Sequence, residues 1–138
     1  MESDSMVAVG EMGLDYFRNL SDPQIQKDVF RTQMSISKEL NKPVNLIYVP
    51  GVFEIPIIIA KNIKKYDAFI ALGCVIKGET PHFDFISSAS THAIMNLSVV
   101  SKKPIGNGII TCLNMKQAKA RKKKGEEAAR AIISVLSQ

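Results

Sequence analysis

Lys77-Gly78-Glu79-Thr80-Pro81-His82 brings a glycine, a hydroxyl and an imidazole together within six residues. The run follows an apolar stretch and precedes a helical pattern. A glycine there lets a ligand approach the backbone, and free N–H groups at the start of a helix favour an anion. Thr80 adds a hydroxyl, and a histidine titrates near neutrality and moves protons. An exposed capping turn with an incidental histidine is the competing reading. A second junction, Val49-Pro50-Gly51-Val52-Phe53-Glu54-Ile55-Pro56, offers exposed backbone to a planar ring and a carboxylate to hydroxyl groups. Its alternative is a plain turn with a capping acid.

A third feature is charge. Lys116, Lys119, Arg121, Lys122, Lys123 and Lys124 occur with no acid between them, in a chain of net charge +5. Such a run suits a phosphate ligand or a nucleic-acid backbone, or is a solvated loop and helix end. Two cysteines, Cys74 and Cys112, lie in apolar runs without a Cys-x-x-Cys spacing and read as buried thiols. His82 and His92 are the two histidines.

These groups need elements to position them. Val7-Ala8-Val9 reads as a short strand ending at Gly10. Ser21-Asp22-Pro23 opens a helix carrying Ile25, Val29, Ile36 and Leu40, which Asn41-Lys42-Pro43 stops. Val44 to Val49 is a second strand, and Glu54 to Tyr66 a helix with proline in its first turn. Ala68 to Ile76 is an apolar run expected of a strand buried on both faces. A helix then runs to about Ser101, with an expected stripe of Ile86, Ala89, Ala93, Leu97 and Val100. Ile105 to Thr111 is a fourth strand. A last helix starts near Gly125 with Ala129, Ile132, Ile133 and Leu136 on one face.

Strand and helix alternating four times predicts an α/β fold, a four-stranded parallel sheet between two helical layers. Ligands on such sheets bind beyond the carboxyl ends of the strands, which nominates residues 10–18, 50–54, 76–82 and 107–108. At 138 residues the chain is expected to be one domain over 1–138, with residues 1–5 disordered and 6–45 forming an N-terminal strand–helix unit. Hydrophobic residues at 46% and charged residues at 22% exclude whole-chain disorder and coiled coil. No apolar run approaches the ~20 residues that cross a bilayer. The polar N-terminus does not read as a secretory signal, so the cytoplasm is the expected location.

From Val49 onward the chain resembles 6,7-dimethyl-8-ribityllumazine synthases. The stretches that carry the resemblance are residues 49–56, 71–84 (Ala-Leu-Gly-Cys-Val-Ile-Lys-Gly-Glu-Thr-Pro-His-Phe-Asp), 106–111, 117–121 and 124–129. The resemblance implies a flavodoxin-like fold and the penultimate step of riboflavin biosynthesis. In that step 5-amino-6-(D-ribitylamino)uracil condenses with 3,4-dihydroxy-2-butanone 4-phosphate, and neither cofactor nor metal is needed. It implies that His82 transfers protons and that Glu79, Thr80 and Arg121 hold the phosphate. Val52, Phe53 and Glu54 would meet the pyrimidine and ribityl chain, and Cys74, Val75 and Ile76 would lie beside the pyrimidine. Asn107 would reach the pocket of a neighbouring subunit, and Lys124 with Glu127 would support the site. A homo-oligomer, by analogy a pentamer, is the implied assembly.

The chain departs from that family in two places. Only Lys122 and Lys123 separate Arg121 from Lys124-Gly125, fewer residues than the family usually has. The family's Arg-Phe-Asn or Arg-Phe-Tyr stacking motif is absent near the N-terminus, where Tyr16 or Phe17 is the candidate replacement. Residues 7–16, 24–31 and 39–43 instead resemble TatD-like metal-dependent deoxyribonucleases, in which the glutamate matched by Glu11 is a metal ligand. That family needs an early His-x-His, and no histidine precedes His82. The chain thus reads as a chimera joined near residues 43–46. The alternative functions are an inactive or incompletely folded synthase-like chimera and a phosphate- or nucleic-acid-binding module. No aromatic residue interleaves with the basic run, so specific nucleic-acid binding is not expected, and without a spanning apolar run neither is a membrane partner.

Overall fold

The computed structural model describes the backbone of residues 6–10 and residues 44–138 in full. The helix expected over 21–40, the candidate aromatics Tyr16 and Phe17, the nuclease-like Glu11, and the loop expected beyond Gly10 lie outside the described residues. So does the N-terminal segment 1–5.

The strands are β1 (Met6–Gly10), β2 (Val44–Tyr48), β3 (Ala68–Ile76) and β4 (Ile105–Cys112). All pairings are parallel, in the order β2-β1-β3-β4. A 3₁₀ turn at Val52–Glu54 leads into α1 (Ile55–Asn62), and α2 (His82–Ser101), α3 (Met115–Ala120) and α4 (Lys124–Leu136) follow.

Strand β3 organises the core because it is apolar on both faces. Ala68, Ile70 and Leu72 pack on Ala128, Ala129 and Ile132 of α4. Phe69 and Ala71 point the other way, to Ile55 and Ile59 of α1, Ile94 of α2, and Val52. Alternation along the strand therefore puts helices on both faces, the α/β layering the sequence predicts. Phe69, Ile55, Ile59 and Ile132 are fully buried. Each such side chain contributes roughly 1.5–3 kcal/mol relative to exposure.

Four elements differ from expectation. Helix α1 stops at Asn62, whose Nδ2 donates to Ile58 O at 2.9 Å, so it does not reach Tyr66. Tyr66 instead sets its ring edge-on to Phe69, with centroids 6.0 Å apart. Helix α2 buries Ser90 and Ile94, whereas Ala89 and Val100 of the expected stripe are exposed. On α4, Gly125, Ala128, Ala129 and Ile132 are buried and Leu136 is exposed. Helix α3 was not expected. Asn114 caps it by accepting from Gln117 N–H, while Gln117 Oε1 accepts from Leu113 N–H, a reciprocal arrangement like a capping box.

Helix α2 ends on Lys102, the sole non-glycine residue of positive φ (57°) among the described residues. A left-handed residue bearing a Cβ is strained, and glycine is the usual occupant. Lys102→Gly is therefore expected to stabilise the fold by about 1 kcal/mol. A urea midpoint that falls on this substitution contradicts the assignment of strain.

Among the described residues no helix is long and apolar enough to cross a membrane.

Candidate functional site

Three strand ends define one rim of the sheet. Strand β2 leaves through Val49-Pro50-Gly51 into the 3₁₀ turn, β3 through Lys77–Pro81 into α2, and β4 through Leu113-Asn114 into α3. Lys77 N–H donates to Cys112 O at 2.9 Å, so the β3–β4 pairing extends one step into the loop.

Gly78, Glu79, Thr80, Pro81 and His82 are all exposed. A Cβ built on Gly78 would meet nothing within 4 Å, and no glycine among the described residues has positive φ. Neither packing nor backbone conformation demands glycine there. What it leaves is an open approach to the main chain. His82 is the first residue of α2, and its N–H donates weakly to Thr80 Oγ1 at 3.5 Å. Thr80 thus occupies the capping direction of a helix start, where an incoming anion would also be received.

The 3₁₀ turn docks against α2. Ser90, buried in α2, lies with its Oγ 3.5 Å from the Val52 carbonyl. Val52 is buried, whereas the neighbouring Phe53 side chain is 58% exposed. Glu54 folds back over Gly51, where an added Cβ would lie 2.9 Å from its Oε2. A large aromatic ring left in water next to a carboxylate is a surface fitted to a planar polar ligand.

Along β3 the side chains divide. Val75 packs on the cluster containing Val52. Cys74 and Ile76 turn to the other face, against Ile110, Cys112, Ala118 and Met115. A ligand seated over the Val52–Phe53 turn can meet Val75 by side chain, and the other two through their main chain.

Arg121 follows α3 and is exposed, with Nη1 donating to Gln117 O at 3.0 Å. Lys124 pairs with Glu127 at 3.2 Å. Lys116, Lys119, Lys122 and Lys123 are exposed. Among the described residues no hydrogen bond or ion pair joins Arg121 to Glu79, Thr80 or His82.

Asn107 corrects an expectation. Strand β4 continues to Cys112, so residues 107–108 are mid-strand rather than at its carboxyl end. Asn107 pairs in register with Ala71, five residues and about 17 Å from that end. Its Oδ1 accepts from Ile109 N–H at 3.1 Å. Within one chain it is not brought to the loop of His82.

The structure thus groups Val52, Phe53, Glu54, Val75, Glu79, Thr80 and His82 at one rim, and sets Asn107 apart. Among the described residues no group of three or more His, Cys, Asp or Glu side chains could hold a metal ion. The sequence reading gave Lys77 no role of its own; its ammonium lies 3.6 Å from Asp84 Oδ2. Both residues are readable in the sequence, but their meeting across a four-residue loop is not.

Comparison with known proteins bears on this rim. The 6,7-dimethyl-8-ribityllumazine synthase of Agrobacterium fabrum is 44% identical over 111 residues, covering 72% of this chain and 75% of that protein. That of Bartonella bacilliformis is 42% identical over 108 residues, covering 75% and 71%. 6,7-Dimethyl-8-ribityllumazine synthase 1 of Rhodopseudomonas palustris is 48% identical over 104 residues, covering 67% of this chain and 64% of that protein, so the match spans just under two thirds of its length. The family model of 6,7-dimethyl-8-ribityllumazine synthase matches residues 23–138. With most of its length matched, rim residues included, the chain belongs to the 6,7-dimethyl-8-ribityllumazine synthase family.

Proposed function

We propose that the protein condenses 5-amino-6-(D-ribitylamino)uracil with 3,4-dihydroxy-2-butanone 4-phosphate to give 6,7-dimethyl-8-ribityllumazine, phosphate and water, as a step of riboflavin biosynthesis. The observation that carries this reading is the open loop at Gly78–Thr80 with His82 at its end, in a chain of this family. The phosphate is received by the loop backbone and Thr80. The pyrimidine lies over Phe53 with Glu54 toward the ribityl hydroxyls and Val75 beneath. The 5-amino group attacks the ketone, and His82 moves protons as the Schiff base forms, phosphate leaves and the second ring closes. Both substrates are reactive already, so holding them in contact supplies much of the acceleration.

The working unit is a homo-oligomer, by family analogy a pentamer. Helix α2 supports this by exposing Phe85, Met95, Val99 and Val100, large side chains that a monomer leaves in water. The position of Asn107 supports a site shared between copies, with Asn107 acting on the loop of a neighbour. Arg121 supplies the phosphate's cation, and Lys124 with Glu127 steadies it. Neither cofactor nor metal takes part, and the protein works in the cytoplasm.

Mixing the two substrates with purified protein is expected to yield the fluorescent lumazine. Arg121→Ala is expected to raise KM for the phosphate ester about tenfold with a smaller change in kcat, the scale of one charge-assisted contact. An unchanged KM assigns that charge to Lys122 or Lys123 instead. Absence of lumazine from wild-type protein of oligomeric mass removes the proposed activity.

A further inference from the structure

The loop that receives the phosphate in the reading above is spanned by one side chain. Lys77 precedes the loop and Asp84 follows it, one turn into α2. Lys77 Nζ stands 3.6 Å from Asp84 Oδ2 and 5.8 Å from the centroid of the Phe83 ring. The same residue's N–H is fixed to Cys112 O. One lysine therefore ties the end of the sheet to the first turn of α2.

With 45% and 58% of the two side chains exposed, this pair adds little to stability. Its importance is its location. Asp84 is the acid of α2's first turn, where a carboxylate interacts favourably with the positive end of the helix. A phosphoryl group on the Glu79–Thr80 backbone would draw on that same partial charge. An uncompensated Asp84 would both compete for it and repel the incoming dianion. Glu79 brings a second carboxylate to the same loop, and among the described residues it has no ion pair. Lys77 is the cation that meets one of these two acids.

We propose that Lys77 is a positioning residue of the phosphate subsite, which holds the two ends of the loop together and neutralises Asp84 so that the helix start remains open to the substrate's phosphate. This rests on the synthase reading for the substrate, and not for the charge balance itself. The phosphate feels Lys77 through Asp84.

The test compares wild type with Lys77→Met, Lys77→Arg, Asp84→Asn and the Lys77→Met/Asp84→Asn double variant. Each is read by KM and kcat for the phosphate ester and by the Kd of inorganic phosphate. Lys77→Met is expected to raise KM and the phosphate Kd about two- to fivefold with kcat unchanged, an effect on the scale of one charge near a helix terminus. The rise is expected to shrink as salt is added. Lys77→Arg is expected to behave as wild type. The decisive case is the double variant, which is expected to return to within about twofold of wild type because no acid is left to neutralise. A double variant as weak as Lys77→Met overturns the proposal and makes Lys77 a direct phosphate ligand. So does a Lys77→Met protein that binds phosphate as wild type does. Wild type that binds inorganic phosphate but makes no lumazine defeats the synthase reading alone, and the Kd series still decides the role of Lys77. Wild type that binds no phosphate overturns the proposal.

Discussion

His82→Ala is expected to lower kcat roughly tenfold to a hundredfold, with KM for both substrates and thermal stability near those of wild type. The stability half follows from the geometry. The imidazole is exposed, and the hydrogen bond His82 makes to Thr80 comes from its backbone N–H, which alanine retains. Alanine also suits the first turn of a helix. Loss of rate without loss of fold therefore reports chemistry. The size follows from the reaction. A positioned general acid–base typically contributes about 10²–10⁴-fold. With partners as reactive as the proposed substrates, the effect is expected at or below the lower end of that range. A fall in kcat at constant KM marks a group acting in the transition state and not in ground-state binding. Equal turnover by wild type and His82→Ala, in protein of the same melting temperature, removes the proton-transfer role.

Gly106→Ala is expected to destabilise the protein by about 2–3 kcal/mol, seen as a lower urea midpoint. In an open strand the same change would help, because glycine weakens a strand by roughly 0.5–1 kcal/mol. Packing reverses the sign. A Cβ on Gly106 would lie 2.6 Å from the carbonyl oxygen of Ala128 and 2.8 Å from Ile132 Cδ1. The isoleucine tip can rotate away, but the carbonyl belongs to the body of α4. The helix must retreat from the sheet, opening the buried contact of Ala128, Ala129 and Ile132 with Ile70 and Leu72. Gly108 repeats the constraint, with an added Cβ 2.7 Å from Leu72 Cδ2 and 3.3 Å from Gly125 Cα. Against a typical total stability of about 5–15 kcal/mol the loss is large. A midpoint equal to or above that of wild type means α4 is seated less closely on β4 than the structure has it.

The layered α/β plan was legible because its signals are local. The apolar run of β3 is found at Ala68–Ile76 as expected, and Pro104 lies just before β4. Helix α2 was legible in extent but not in orientation. Apolar residues surround it, while serines occupy its buried side, one of them set toward the Val52 carbonyl. Periodicity cannot choose between two apolar faces when one of them meets water in the isolated chain. Helix α3 had a readable signal, the Asn114-x-x-Gln117 spacing, concealed within the basic run. At the rim, the loop of Gly78–His82 was found from residue type and position. The opposed directions of Val75 and its neighbours, the mid-strand place of Asn107 and the reach of Lys77 to Asp84 depend on register and on contacts across a loop, which composition does not carry.

The hydrogen bond from Ile109 N–H to Asn107 Oδ1 has a consequence for how copies of the chain can meet. Among the described residues β4 pairs on one side only, which makes its outer border a template for sheet extension by another molecule. The asparagine amide occupies one of the donors such an added strand would require. An added strand would have to displace that side chain before it could pair there, so this border is a poorer template for edge-to-edge growth than a bare backbone.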